Sequence, residues 1–242
     1  MPRYKLTIEY DGTNFSGWQV QPEARTVEGE LEEAFSKVVQ QPIDLIGQGR
    51  TDAGVHALGQ IAHIDLPEGT DPDKLIFSAN RIVSEEVFIH SIEEVTPAFH
   101  ARFDATFREY EYQLISTYSP LNRTRSVLLP REYDSNLMHQ AATLIKGEHD
   151  FAPFSKFNED NYTTLCTVLD SEFEETKGLL IYRIRANRFL RNMVRRLVGT
   201  MIKIGEGKLS LTEFEAALSD PSYEIATQTA PANGLTLKKV HY

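Results

Sequence analysis

Two stretches of strict alternation constrain this chain more than anything else in it. Tyr4, Leu6, Ile8 and Tyr10 alternate with Lys5, Thr7 and Glu9, and Tyr110, Tyr112 and Leu114 alternate with Glu109, Glu111 and Gln113. A period of two marks a half-buried strand, and each stretch opens a similar series of elements. After the first, Asp11-Gly12 ends the strand. A helix is predicted behind the N-cap Thr26, with Val27, Leu31, Ala34, Phe35 and Val38 as its apolar stripe, Glu28 and Glu30 in its first turn and Pro42 limiting its end. A short strand over 43–46 runs into a glycine-rich loop, and strands near 60–66 and 87–95 flank a second helix near 72–83. After the second stretch, an excursion over 116–131 containing Pro120 and Pro130 leads to a helix over about 134–146, with Leu137, Ala141, Leu144 and Ile145 inward and Gly147 as its stop. A hairpin over 166–173 and 179–185, a long helix over 189–203, a helix opened by the capping-box spacing of Ser210 and Glu213, and a strand near 235–241 complete the series.

The order strand, helix, strands, helix, strand therefore occurs twice with variations. It predicts an α+β fold of two similar halves, residues 1–105 and 106–242, sharing a mostly antiparallel sheet with flanking helices. A chain of 242 residues with 41% hydrophobic content has ample material for such cores. Its apolar runs fall short of the ~18 residues a membrane span needs, and MPRYKLTIEYDG has no leader-like apolar region, so neither a membrane nor a secreted protein is expected. The single cysteine, Cys166, excludes an intramolecular disulfide framework, and a reducing cytoplasm is the expected compartment.

The formal net charge of −10 would ordinarily argue against a nucleic-acid partner, but the charge is segregated. Lys177, Arg183, Arg185, Arg188, Arg191, Arg195, Arg196 and Lys203 lie in one span without a single acid, an acidic chain's one cationic band and a possible footprint for a polyanion.

The loop Gly47-Gln48-Gly49-Arg50-Thr51-Asp52-Ala53-Gly54 has three glycines in eight residues. They permit tight or positive-φ turns that hold an Arg-Thr-Asp triplet on display. It is no phosphate loop, because Val55-His56 stand where Lys and Ser/Thr are required, and Asp52 occupies the third glycine of the dinucleotide fingerprint. A structural turn with a local Arg50–Asp52 pair is the competing interpretation. Asp52, His56 and His63 raise the question of a metal, yet no HExxH and no second carboxylate at helical spacing accompanies them, so no metal site is expected. No GxSxG offers a serine nucleophile. In the predicted long helix, Leu190, Met193, Val194, Leu197, Val198 and Met201 form the buried stripe at ~100° per residue, and Arg188, Arg191 and Arg195 fall within roughly 60° beside it. Three guanidinium groups so placed suit a buried carboxylate and phosphates together, whereas the alternative is a solvated basic face. Gly199 in mid-helix predicts a close backbone approach. Tyr110 and Tyr112 serve either as plain strand residues or as aromatics on which a splayed-out base stacks.

Taken together these residues resemble the TruA family of tRNA pseudouridine synthases. Gly49-Arg50-Thr51-Asp52-Ala53-Gly54-Val55-His56-Ala57 looks like the family signature, and three further segments fit in order. They are Glu9-Tyr10-Asp11-Gly12 through Gly17-Trp18-Gln19, then Phe99-His100-Ala101-Arg102-Phe103 leading into Tyr110-Glu111-Tyr112, and Phe189-Leu190-Arg191-Asn192-Met193-Val194-Arg195 with Val198-Gly199. The resemblance implies a pseudouridine synthase fold of duplicated ferredoxin-like units with a central active-site cleft. It implies conversion of uridine to pseudouridine at about positions 38 to 40 of the tRNA anticodon arm, by a homodimer, without cofactor or metal. Asp52 falls on the catalytic aspartate, a nucleophile, Arg195 on the basic residue that pairs it, Tyr110 on the tyrosine that packs against the target base, and Arg50 on the arginine that helps hold the flipped nucleotide out. Arg188 and Arg191, in the basic band, are expected on the substrate's phosphates. One departure lies at Thr163-Thr164-Leu165, where members often carry an arginine.

The chemistry fits those roles. A glycosidic nitrogen–carbon bond must break and a carbon–carbon bond form, which suits an ionised carboxylate. Burial alone would raise the pKa of Asp52, whereas an arginine partner lowers it. Extruding the base costs a few kcal/mol, which Arg50 and Tyr110 can offset by filling the gap and stacking. Attack at C6, attack at C1′ and glycal elimination all remain open. Two other functions stand beside catalysis: a tRNA-binding or tRNA-folding module without turnover, and a metabolic enzyme whose glycine loop binds a small anion.

Overall fold

Alternation along β1, Arg3–Tyr10, becomes burial: Tyr4, Leu6, Ile8 and Tyr10 face the core and the residues between them do not. The computed structural model describes every residue except Asp160 and Lys177, so the first member of the basic band lies outside the described residues. The chain divides into two units, Met1–Thr106 with Thr236–Tyr242, and Phe107–Leu235. Each is α+β with a mostly antiparallel sheet.

In the first unit α1, Val27–Val39, starts where expected, with the Thr26 side chain accepting the Gly29 N–H. Val27, Leu31, Ala34 and Phe35 are buried, each large apolar side chain contributing about 1.5–3 kcal/mol. The helix stops at Gln40, whose left-handed φ of 60° ends it two residues before Pro42. β2 (Leu45–Gly47), β3 (His56–Asp65), α2 (Pro72–Ala79) and β4 (Val87–Val95) follow. β1 lies between β4 and β3, antiparallel to both, and β2 pairs with β3. β3 begins at His56, earlier than the expected 60, so the strand takes over directly from the glycine loop.

The second unit opens with β5, Phe107–Ile115, followed by β6 (Val127–Leu128), α3 (Ser135–Leu144), β7 (Gly147–Asp150), β8 (Leu165–Thr176), β9 (Leu179–Ala186), α4 (Met193–Gly205) and α5 (Leu211–Ser219). β9 pairs antiparallel with β5 and β8, β7 pairs antiparallel with β8, and β6 runs parallel to β5. α3 packs against α4, α5 and β8. On α3 the core-facing residues are Met138, Ala141 and Ala142, with Ile145 at the C-cap; Leu137 and Leu144 are only half-buried, because the face is rotated by about one residue from the expected stripe. The capping box closes as expected, Glu213 N–H to Ser210 Oγ at 3.2 Å and Ser210 N–H to Glu213 Oε2 at 2.8 Å.

β10, Leu235–His241, was expected with the second half, but Thr236–Tyr242 joins the first unit. Its backbone pairs in parallel with β3 through Thr236–His56 and Leu237–Ala57, and Thr106 N–H donates to the His241 carbonyl. Such pairing is set by strand partners far away in sequence, which local patterning does not encode.

Candidate active site

The 47–54 loop of the first unit is held rigidly from beneath. Gln48 N–H donates to the Ile61 carbonyl at 2.8 Å, and Gln60 Nε2 donates to the Gly49 carbonyl at 3.1 Å. Thr51 is buried, its hydroxyl sharing a 2.8 Å hydrogen bond with the Tyr10 phenol and its carbonyl accepting the Trp18 N–H. Asp52 follows half-buried, and its carbonyl closes a turn onto the Val55 N–H at 3.1 Å. Arg50 is exposed. The loop thus turns its threonine inward and leaves its arginine at the surface with the aspartate between.

The segment after β1 forms the bed of this loop. Gly17, at φ 99°, lies so close that a Cβ there would stand 2.7 Å from the Thr51 carbonyl oxygen, and a Cβ on Gly47 would stand 2.5 Å from Trp18 Nε1. These two glycines are contact surfaces. Trp18, 1% exposed, donates its indole N–H to Glu28 Oε1 at 3.1 Å, while Glu28 Oε2 accepts the Val20 N–H at 2.9 Å. Burial pushes the Glu28 carboxyl up, against the opposing pull of these two donors and of the Arg50 charge. The supporting roles of Tyr10, Trp18 and Glu28 were not predicted from periodicity; the signal for Tyr10 and Trp18 was the placement of Glu9-Tyr10-Asp11-Gly12 and Gly17-Trp18-Gln19 ahead of the loop, whereas Glu28 read only as a first-turn acid of the helix.

In the second unit Tyr110 lies half-buried on β5 and meets Phe189 edge to face, ring centroids 5.1 Å apart at 85°. Phe189 was not singled out for this contact. Tyr112 is buried and donates its hydroxyl to the Pro231 carbonyl at 2.7 Å, which makes it a core residue. Arg195, on α4, donates Nε–H to the Ala230 carbonyl at 2.8 Å.

The expected arc of Arg188, Arg191 and Arg195 does not form, because α4 begins only at Met193. Asn192 has φ 61°, a left-handed conformation that blocks the helix upstream. Asn187 is tied to β8, accepting the Thr167 N–H through Oδ1 at 2.9 Å and donating its own N–H to the Thr167 carbonyl at 3.0 Å. Arg188 and Arg191 therefore sit on an irregular connector, half-buried and exposed respectively. Leu190 and the five stripe residues of α4 are nonetheless all buried. Burial pushes the Cys166 thiol up to about 11, with Arg188 pulling the other way, so that cysteine is no nucleophile at neutral pH.

The basic band is also less bare than its sequence. Arg183 pairs with Glu111 at 2.9 Å and with Glu174, and Arg185 pairs with Asp170 at 2.5 Å, acids delivered by β5 and β8. Among the described residues no group of three or more His, Cys, Asp or Glu is placed to hold a metal ion, and no helix is long and apolar enough to cross a membrane.

Residues 6–104 and 141–242 match a family described as tRNA pseudouridine synthase; Arg50, Asp52, Arg188, Arg191 and Arg195 fall inside the match and Tyr110 in the gap between its two parts. The chain is similar over almost its whole length to proteins named tRNA pseudouridine synthase A. That of Chlorobaculum tepidum is 40% identical over 239 residues, 98% of this chain and 97% of its own. That of Porphyromonas gingivalis is 38% identical over 100% and 98%, and that of Streptococcus suis 38% over 100% and 99%.

Proposed function

The chain belongs to the tRNA pseudouridine synthase family and is a tRNA uridine isomerase, and from that premise we propose that it acts on positions 38 to 40 of the anticodon arm with Asp52 as nucleophile. The observation that carries this is the construction of the loop: Thr51 locked inward, Asp52 half-buried on a turn and Arg50 at the surface, on a bed of Tyr10, Gly17 and Trp18. A group that must meet one atom of a flipped nucleotide needs such preorganisation.

Isomerisation keeps every atom of the uridine, breaking the bond from C1′ to the ring nitrogen and forming one from C1′ to a ring carbon. It therefore calls for no oxidant and no transferred group. Asp52 supplies the carboxylate, and Arg195 is assigned the basic role that the family resemblance gives it. Tyr110, braced edge-on by Phe189, offers its ring face to the extruded base. Arg50 fills the gap the base leaves. Arg188 and Arg191 contact phosphates from the connector before α4, and the acidic remainder of the chain discourages indiscriminate RNA binding. We assign the working form as a cytoplasmic homodimer that needs no cofactor.

The test is incubation of the purified protein with an unmodified tRNA transcript and no added cofactor, followed by chemical mapping of pseudouridine, with Asp52→Ala in parallel. Product confined to the 3′ side of the anticodon arm, and lost in the variant while tRNA affinity persists, is the expected result. Product elsewhere in the tRNA overturns the site assignment, and undiminished product in Asp52→Ala overturns the nucleophile.

A further inference from the structure

One element of the second unit has no part in the chemistry above: the irregular segment between α5 and β10. It runs along α4 in a defined register. Arg195 Nε–H donates to the Ala230 carbonyl at 2.8 Å and the Arg195 carbonyl accepts the Ala230 N–H at 3.0 Å, so both backbone groups of Ala230 are bound to a single residue. One helical step of four residues further, Gly199 packs directly against the Gln228 carbonyl, where any Cβ would overlap the oxygen. One step further again, Lys203 Nζ donates to the Ala226 carbonyl at 2.8 Å.

Helix positions 195, 199 and 203 thus meet segment positions 230, 228 and 226, four residues against two and in opposite directions. The spacing agrees with elementary geometry, since four helical residues rise about 6 Å and two extended residues span about 6.6 Å. The near end of the segment is also held, by the Tyr112 hydroxyl on the Pro231 carbonyl at 2.7 Å and by Gly234, where a Cβ would stand 2.6 Å from the Tyr112 ring. Tyr112 is two residues from Tyr110 on the same strand.

We propose that residues 226–231 form a strap that orients the Arg195 guanidinium, and that Gly199 is the positioning residue that lets the strap lie flat on α4. An unrestrained arginine samples many rotamers. Fixing Nε through the Ala230 carbonyl removes much of that freedom before substrate arrives and sets the plane of the fork. Glycine in mid-helix weakens a helix relative to alanine, and here it is retained for the space it leaves.

The inference rests on the assignment of Arg195 to the reaction, and the experiment separates the two. Gly199→Ala improves helix propensity while lifting the strap, so kcat is expected to fall about tenfold to a hundredfold, as small misplacements of a positioned group do, with tRNA affinity unchanged. The same substitution is then made in an Arg195→Lys background, which has no Nε–H for the strap to hold. If the strap acts through Arg195, Gly199→Ala adds little there; if the two losses multiply, the proposal is overturned. Lys203→Met, which removes one tie without adding bulk, provides the same reading should Gly199→Ala fail to fold: a smaller loss that vanishes in the Arg195→Lys background supports the strap, and an unchanged kcat overturns it. Full activity in Arg195→Lys alone would instead refute the role of Arg195, on which the strap depends.

Discussion

His63 lets the acid stability of this protein be predicted with a sign and a size. The side chain lies on β3, 2% exposed, accepts the Ala101 N–H through Nδ1 at 3.2 Å, and has its Nε2 buried without a partner. Burial pushes the imidazole down to about 4, and the charges of Arg3 and His100 push the same way, against Asp65 and Asp104. Below pH 6.5 the unfolded chain takes up a proton that the folded protein refuses. The stabilisation is therefore complete above pH 6.5 and lost as the pH falls toward 4. Integrating between an ordinary 6.5 and the lowered value of about 4 gives a loss of about 2 kcal/mol by pH 5 and about 3 kcal/mol by pH 4, relative to pH 7.5. Carboxylates titrate over part of this range, so the measurement is a difference. Urea unfolding of the wild type and of His63→Gln is compared at pH 7.5, 6 and 5, glutamine keeping an acceptor for the Ala101 N–H but having no proton to gain. The wild type should lose about 2 kcal/mol more than the variant between pH 7.5 and 5. Parallel losses, within about 0.5 kcal/mol, would mean that His63 is protonated in the fold without penalty and that its burial does not govern its titration.

Two further outcomes are expected. Tyr110→Phe should reduce turnover less than Tyr110→Ala, because most of the stacking face survives in phenylalanine and the edge contact with Phe189 with it; equal losses in single-turnover assays would transfer the role to the hydroxyl. Arg191→Gln should weaken tRNA binding and lower the slope of log affinity against log salt by about 1, whereas Arg183→Gln, whose charge is already matched by Glu111 and Glu174, should change that slope far less. Identical salt slopes for the two variants would show that ion pairing within the sheet does not spend the charge of Arg183.

Much of this molecule was legible along the chain because the forces that decide it act over a few residues. Alternation placed β1 and β5 to the residue or nearly so, side-chain caps at Thr26 and Ser210 marked helix starts, and Gly199 announced a close approach that the Gln228 carbonyl makes. The Asp52 loop was visible as glycines enclosing a charged triplet. Helix α4 starts later than its apolar period suggests, because that period continues upstream through Leu190 while a left-handed Asn192 and the tie of Asn187 to β8 hold the stretch out of the helix. Periodicity reports which side chains are buried and is silent on the backbone that carries them.

What the sequence determined by itself, then, is most of the elements, though not β6 or β7, together with the displayed triplet and the family resemblance, all of which depend on residue type and short spacing. Tertiary structure decided which charges of the basic band are already matched, since the acids that neutralise Arg183 and Arg185 arrive from neighbouring strands. It decided that the last strand returns to the first unit beside β3. It also decided what lies under the loop and along α4: a tryptophan bed more than thirty residues upstream of Asp52 and a strap as far downstream of Arg195. Those contacts end largely on backbone carbonyls and beside glycines, and they exist only once chain closure has brought distant segments together.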